Sequence, residues 1–303
     1  MTLRCITAAR RFDANAHRPF LIGAEQVGWI RERDVPLLAR WPDVFEIAND
    51  GVTLSATFDS VHLRSAALAS VIGALAADGR IPGWRNETYA IRNAFDAPPL
   101  AYIERAASRF FGTMTYAVHL NGVVEYAEGG APFGGAPFGG APFGGAPFGG
   151  APQLWIARRS DTKATDPGML DNVVAGGIGW GFGIAETIVK ECWEEAGIPA
   201  EIAACAVAGR TAHVLQSLPE GTQAEQIFIY DLALPADFAP RNQDGEVGEH
   251  RLARVDEVAS WIEEGALTVD ASLATLDCLL RRRWIDEDAC EGIDALFAPP
   301  PLG

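Results

Sequence analysis

Apolar residues recur with two different periods along the chain, and the change of period marks its elements. From Val61 to Ala77, Leu68, Val71, Ile72 and Leu75 repeat at intervals of 3 to 4 and the pattern stops at Asp78-Gly79, which predicts a helix. A second helix is expected from Pro99 to Phe110, and between the two the run Gly83 to Ile91 has strand character after a Pro-Gly turn. Residues 1–112 therefore read as a small α+β domain with its boundary near Phe111-Gly112.

Beyond that boundary, residues 113–288 read as a second domain. Thr115 to Leu120, continuing through Val123-Val124, and Leu154 to Ala157 predict two paired strands. Two apolar runs follow, Cys205 to Ala208 and Gln226 to Leu234, the second carrying the strand signal Ile227-Phe-Ile-Tyr230. Helical patterns span Val255 to Glu264 and Ala271 to Trp284, and residues 289–303, ending Pro299-Pro-Pro-Leu-Gly303, read as a flexible tail.

One tract has neither period. From Gly129 to Pro152 the pentamer Gly-Gly-Ala-Pro-Phe occurs four times and once more without its Phe, taking 10 of the 32 glycines. A proline in every pentamer excludes both helix and ladder, so residues 129–152 read as a low-complexity insertion in a surface loop, either expanded or engineered, with a Phe-bearing tether for a partner as the alternative. Lengthening a hairpin loop from about 4 to about 24 residues costs only about 1.5 kcal/mol of closure entropy, which the surrounding fold can tolerate.

Composition narrows the class of function. With 49% hydrophobic and 21% charged residues the 303-residue chain lies in the globular range, and its net charge of −16 disfavours nucleic-acid and anionic-membrane partners. A small anionic substrate survives this argument, because a divalent cation reverses the local sign of a carboxylate-lined pocket. The five scattered cysteines form no Cys-x-x-Cys pair, Arg4, Arg10, Arg11 and Asp13 interrupt any secretory signal, and no apolar window is long enough to span a bilayer. The expectation is a soluble cytoplasmic protein of a reducing compartment.

The chemistry concentrates between Leu170 and Pro199. On a helix at about 100° per residue, Ala185, Ile188, Val189, Cys192 and Ala196 share one arc, while Glu191, Glu194 and Glu195 share another. Three carboxylates at i, i+3 and i+4 repel, and Lys190 offsets only part of that repulsion. Oxygen-rich clusters of this kind suit hard cations such as Mg²⁺, and a solvated acidic face is the alternative reading. Glycines at 176, 177, 179, 181 and 183 precede the helix and permit close backbone approach, and Gly197-Ile198-Pro199 closes it.

This segment resembles the Nudix hydrolases, whose box reads Gly, five residues, Glu, seven residues, then Arg-Glu-hydrophobic-x-Glu-Glu-x-Gly-hydrophobic. Gly176 opens the box and Lys190 to Ile198 closes it without gaps; Phe182 stands where the first Glu belongs and Lys190 replaces Arg. A local repair is expected from a Glu186–Lys190 ion pair, four residues apart in the favourable order. The segments Trp155 to Lys163, Pro167 to Asn172 and Val174 to Ile178 resemble the Nudix domains associated with thiamin pyrophosphokinases. Phe20-Leu-Ile-Gly, Val27-Gly, Gly83-Trp-Arg-Asn-Glu87 and His119-Leu-Asn-Gly122 look like the extra N-terminal domain of that branch.

The resemblance implies a Nudix α/β/α sandwich with a mixed sheet, preceded by the α+β domain. It implies Mg²⁺, with Mn²⁺ able to substitute, held by Glu191, Glu194 and Glu195 and by a carbonyl of the Gly176-Gly177 region. A small diphosphate substrate would be hydrolysed there, thiamin diphosphate or its oxidised analogues going to the monophosphate and phosphate. Glu246 and Glu249 are the candidates for a further catalytic carboxylate, and solvated loop charges otherwise. Arg158, Arg159 and Lys163 are candidates to grip phosphates, and Trp84 and Arg85 to hold an aromatic ring from the N-terminal domain. Nucleoside or sugar-nucleotide diphosphates are the second enzymatic reading. Phe182 and Lys190 motivate a third, a Nudix domain that binds its ligand with little or no turnover.

Overall fold

A computed structural model describes residues 3–125, 151–286 and 290–299, so residues 129–150 of the pentamer tract lie outside the described residues. The first helix, α1 (Arg4–Ala8), leads into a four-stranded sheet of order β2-β1-β4-β3. Its strands are β1 (His17–Ile22), β2 (Glu25–Arg31), β3 (Phe45–Ile47) and β4 (Val52–Leu54), with the short α2 (Val35–Leu38) between β2 and β3. The long helix α3 (Val61–Ala77) begins where the Ser60 hydroxyl accepts the Leu63 N–H at 3.3 Å, satisfying one orphan donor of the first turn. Leu68, Val71, Ile72 and Leu75 are all buried, in one core with Phe20, Phe45 and Phe111.

The expected helix from Pro99 to Phe110 does not form as one element. Its first part is β6 (Ala101–Glu104), paired antiparallel with β5 (Thr88–Ile91); a 3-10 turn at Arg105–Ala107 and the four-residue α4 (Ser108–Phe111) follow. Ala101 and Ile103 are buried while Tyr102 and Glu104 are half-buried, a period of two that the longer helical pattern masks. The strand expected from Gly83 starts only at Thr88, because Gly83 (φ 77°) and Asn86 (φ 58°) are left-handed and break extended pairing.

The second domain is built on β7 (Met114–Val124) and β8 (Gln153–Arg159), which pair through Gly122–Trp155, Val123–Leu154 and Val124–Gln153 on either side of the tract. Then come β9 (Leu170–Asn172), β10 (Val174–Gly177), α5 (Ile184–Ala196), α6 (Ala200–Ala203), β11 (Val207–Leu218), β12 (Gly221–Ala233), β13 (Val247–Arg254), α7 (Val255–Glu264) and α8 (Val269–Arg281). The sheet runs β11-β12-β7-β8-β13, with β10 on β7 and β9 on β8. It is mixed, since β12 is parallel to β7 and the other pairs are antiparallel. Helices α5 and α6 close one face over Val118 and Leu120, and α7 and α8 the other over Val123, Ile227 and Ile229, giving the α/β/α sandwich. Among the described residues no helix is long and apolar enough to cross a membrane.

Two segments depart from the expected partition. Leu3, Cys5, Ile6 and Ala9 pack into the core beneath α8 rather than into the N-terminal domain, so the block 1–112 is not self-contained. The tail also docks over 290–299: Cys290, Ile293 and Leu296 are buried in that same core, Arg10 donates to Ala295 O at 2.7 Å and Ala298 O at 2.8 Å, and Arg210 stacks on Phe297. Its proline-rich ending suggests looseness, but a single 3-10 turn at Ile293–Phe297 presents apolar side chains to the groove beside α1. Leu296→Ala is expected to cost about 2–5 kcal/mol, as for a core leucine, whereas a loosely held tail would lose under about 0.5 kcal/mol; urea denaturation distinguishes them.

Candidate active site

Helix α5 presents the acidic face, and its caps fix where that face points. The Gly183 N–H donates to Glu186 Oε2 at 3.0 Å, placing a negative charge at the helix N-terminus, and Gly197 (φ 63°) ends the helix. Ile188, Cys192 and Ala196 bury the opposite arc against the sheet. The expected Glu186–Lys190 pair is absent because Glu186 serves the cap. Lys190 Nζ lies instead 2.9 Å from Glu191 Oε1 and 2.7 Å from Glu194 Oε2, so the lysine in the box offsets repulsion between two of its own carboxylates.

Glu195 reaches furthest into the protein. It is 5% exposed, its Oε2 accepts the Ala175 N–H at 2.7 Å, and its Oε1 lies 3.7 Å from Lys163 Nζ. Burial pushes its carboxyl up to about 8, the Lys163 charge only partly opposing this. Burial likewise raises Glu191. Glu191 lies over the backbone of Gly176, where the carboxylate fills the space that a Cβ would take. Lys163 also pairs with Glu246, whose other oxygen is 3.2 Å from Arg85. Burial works against ionisation of Glu246, but Lys163 and then Arg85 hold it below the usual carboxylate range.

Above Gly176 and Gly177 opens a cavity of about 720 Å³ between the two domains. Lys163, Arg159, Gly176 and Gly177 line it from the sandwich, and Arg85, Tyr89 and Arg105 from the N-terminal domain. Tyr89 places its hydroxyl directly against Gly177, and Arg105, 2.9 Å from Glu87, lies beside it. Tyr89 and Arg105 escaped the sequence reading. The strand pattern around Thr88–Ile91 carries Tyr89, but its contact with Gly177 is made across 88 positions of chain.

The remaining sequence candidates divide. Arg159 lines the cavity but is committed, donating to Asp171 Oδ2 at 2.6 Å and to Thr165 O at 3.1 and 2.9 Å. Its neighbour Arg158 points to the opposite face of β8, donates to Gly168 O at 2.9 Å and lies 3.5 Å from Glu249. Neither Arg158 nor Glu249 reaches the cavity or the pocket around Glu195, whereas Glu246 lines that pocket. Trp84 is 45% exposed, neither buried core nor cavity wall, and donates to Asn86 Oδ1 at 2.8 Å; Gly83 and Arg85 on either side do line the cavity.

The architecture has counterparts among known proteins. A model described as a domain of unknown function (DUF4743) matches residues 1–115, and the NUDIX domain model matches residues 143–273. Nudix hydrolase 24, chloroplastic, of Arabidopsis thaliana is 38% identical over 266 residues, covering 87% of this chain and 67% of the relative. Nudix hydrolase 20, chloroplastic, of the same plant is 36% identical over 286 residues, covering 91% and 71%. The chain belongs to the Nudix hydrolases. An uncharacterized protein of Saccharomyces cerevisiae is also similar, 30% identical over 217 residues, 68% of this chain and 57% of that one.

Membership in the Nudix hydrolases implies Mg²⁺, and the donor set fits it in kind: Glu191, Glu194 and Glu195 offer only oxygens, and the two most buried of them are carboxylates pushed up by desolvation, which a cation relieves. Among the described residues no three such groups already converge on one point; Lys190 is paired with Glu191 and Glu194, and Lys163 with Glu195. Phe182, where the Nudix box has its first Glu, is 51% exposed and contributes nothing to the acidic cluster.

Proposed function

We propose that this Nudix hydrolase cleaves a small diphosphate monoester, thiamin diphosphate or an oxidised analogue, to the monophosphate and phosphate. The observation that carries this reading is the interdomain cavity, whose basic walls, Lys163, Arg85 and Arg105, adjoin the acidic face of α5 at Gly176. Arg85 and Arg105 orient the phosphate oxygens from the N-terminal domain while Lys163 holds Glu195 and Glu246 in place. Glu191, Glu194, Glu195 and the Gly176-Gly177 backbone would hold Mg²⁺, which when bound would supply charge screening and a more acidic water. Water attacks the terminal phosphorus, the bridging P–O bond breaks toward the monophosphate, and the water's proton passes to a carboxylate. Glu246 is assigned that proton, since its ion pairs keep it in the unprotonated form that a base requires. The five free cysteines accord with a reducing, cytoplasmic setting.

Phosphate release from thiamin diphosphate, oxothiamin diphosphate, ADP-ribose and uridine diphosphate in the presence of Mg²⁺ tests the assignment. Turnover of the thiamin compounds with kcat/KM at least about ten-fold above the nucleotides is expected. Preference for a nucleotide would retain the metal chemistry and replace the substrate.

A further inference from the structure

The segment joining β10 to α5 has little of its own to hold it in place. Glycines stand at 177, 179, 181 and 183, Gly181 is left-handed (φ 94°), and glycine loses more conformational freedom on ordering than any other residue. Phe182, 51% exposed, brings no charge where the Nudix box has Glu, and Glu186 is engaged in the helix cap. Within the Nudix domain the Ile178 N–H donates to Tyr116 O at 2.7 Å and the Phe182 N–H to Gly179 O at 3.3 Å. Further contacts come from the β5–β6 hairpin of the N-terminal domain. The Trp180 N–H donates to Thr88 O at 2.8 Å, and the Trp180 ring lies 5.0 Å from the Tyr102 ring, centroid to centroid. Arg92, which follows β5, lies over the same indole at 5.9 Å.

Where the segment leaves β10, the two domains meet on one strand. Gly176 pairs with Val118 and Gly177 with Ala117, so the two glycines face opposite sides of the sheet. On the α5 side the Glu191 carboxylate fills the place of a Gly176 Cβ, and on the cavity side the Tyr89 hydroxyl fills that of Gly177. The Arg105 guanidinium, just past β6, flanks the same spot at 3.6 Å. The tandem glycine is therefore required twice, once by the acidic helix and once by the hairpin.

We propose that Tyr89 and Trp180 are positioning residues through which the β5–β6 hairpin sets the Gly176–Gly183 backbone, so that the N-terminal domain completes the metal site of the Nudix domain. This rests on the reading in which the Gly176-Gly177 backbone holds Mg²⁺ together with the α5 carboxylates. Mg²⁺ demands near-ideal octahedral geometry, so a backbone oxygen serves it only when held at a fixed place and direction. Groups that orient a metal ligand without touching the metal contribute about 10–100-fold to affinity. The hairpin supplies by ring packing, one backbone hydrogen bond and one hydroxyl contact the restraint that an uncharged residue at 182 does not.

Hydrogen exchange of the 176–183 amides and calorimetric Mn²⁺ binding, both on the full chain, test this apart from turnover. Trp180→Ala removes a side chain that is 41% exposed, so the melting temperature should stay within a few degrees of the wild type. The 176–183 amides should nevertheless exchange at least about ten-fold faster, and Mn²⁺ should bind about ten-fold more weakly. Trp180→Phe keeps a ring against Tyr102 and should bring both back to within about three-fold. Gly177→Ala drives a methyl into the Tyr89 hydroxyl and should weaken Mn²⁺ binding by a similar factor; adding Tyr89→Phe leaves the nearest ring carbon 3.3 Å from that methyl and should restore most of the loss. Unchanged loop exchange in Trp180→Ala, a loosened loop with unchanged Mn²⁺ affinity, or additive losses in the Gly177→Ala and Tyr89→Phe pair would overturn the hairpin's role and leave the metal assignment standing. A wild type that binds no Mn²⁺ would overturn both. Mn²⁺ affinities in the expected order without phosphate release from any diphosphate would retain the hairpin's role and remove the hydrolytic assignment alone.

Discussion

Glu195→Gln is expected to lower kcat by about 10²–10³-fold, the several kcal/mol that the loss of a carboxylate from the proposed metal site represents, without weakening the fold. The argument for stability is electrostatic. Folding moves this carboxyl from 4.5 to about 8, so the folded state binds its proton more tightly than the unfolded state does. Without metal, the charged form therefore destabilises the native state progressively as pH rises from about 4.5 to about 8. Glutamine has no charge to desolvate and still accepts the Ala175 N–H that Glu195 accepts at 2.7 Å. Thermal melts in chelator should place the variant level with the wild type at pH 5 and above it at pH 8. A variant that melts well below the wild type at both pH values would make Glu195 a structural residue and discount the loss of turnover.

Gly176→Ala should have an effect of similar size by another route. The added methyl would occupy the place of the Glu191 carboxylate, and Glu191, a side chain with rotamers to spare, would turn away. The backbone need not move, so the melting temperature should change by only a few degrees while kcat falls about 10²-fold. Gly73→Ala in α3 is the matched control: nothing lies within 4 Å of the new methyl, and helix propensity predicts about 0.5–1 kcal/mol of added stability with unchanged turnover. If the two substitutions left activity equally intact, the close approach of Glu191 to Gly176 would have no catalytic meaning.

What the sequence disclosed follows from the range of the interactions involved. Helix α3 and the acidic arc of α5 are set by residues three and four apart, and both are legible without any partner. The strand pair flanking the tract is legible for the same reason, its apolar runs being local. Strand β11 is not: Arg210, Thr211, His213, Gln216 and Ser217 interrupt its apolar positions, and its extended form comes from pairing with β12. The carboxylates proposed to hold the metal belong to one helix, but Tyr89, Arg105, Glu225 and Asp270 come from four separate elements that only the fold brings to one cavity. Which of the adjacent Arg158 and Arg159 lines the cavity could not be told in sequence either, since the pleat of β8 sends them to opposite faces.

The docking of α1 and the 290–299 segment beneath α8 bears on how this molecule is made. Residues separated by 285 positions meet there, and Ala9 and Arg11 extend the same junction by accepting hydrogen bonds from Leu215 and Ser217 at 2.9 and 2.8 Å. Leu3, Cys5 and Ile6 precede in the chain the core that they enter, which is assembled from residues between Val123 and Leu296. Closure is a late, long-range event of the kind that slows folding and leaves apolar surface exposed during synthesis. The two domains are thus fastened at α1 as well as at the entry to β7, and the Arg85–Glu246 pair and the Tyr89–Gly177 contact join them across the cavity, which has the geometry of a clasp rather than a hinge.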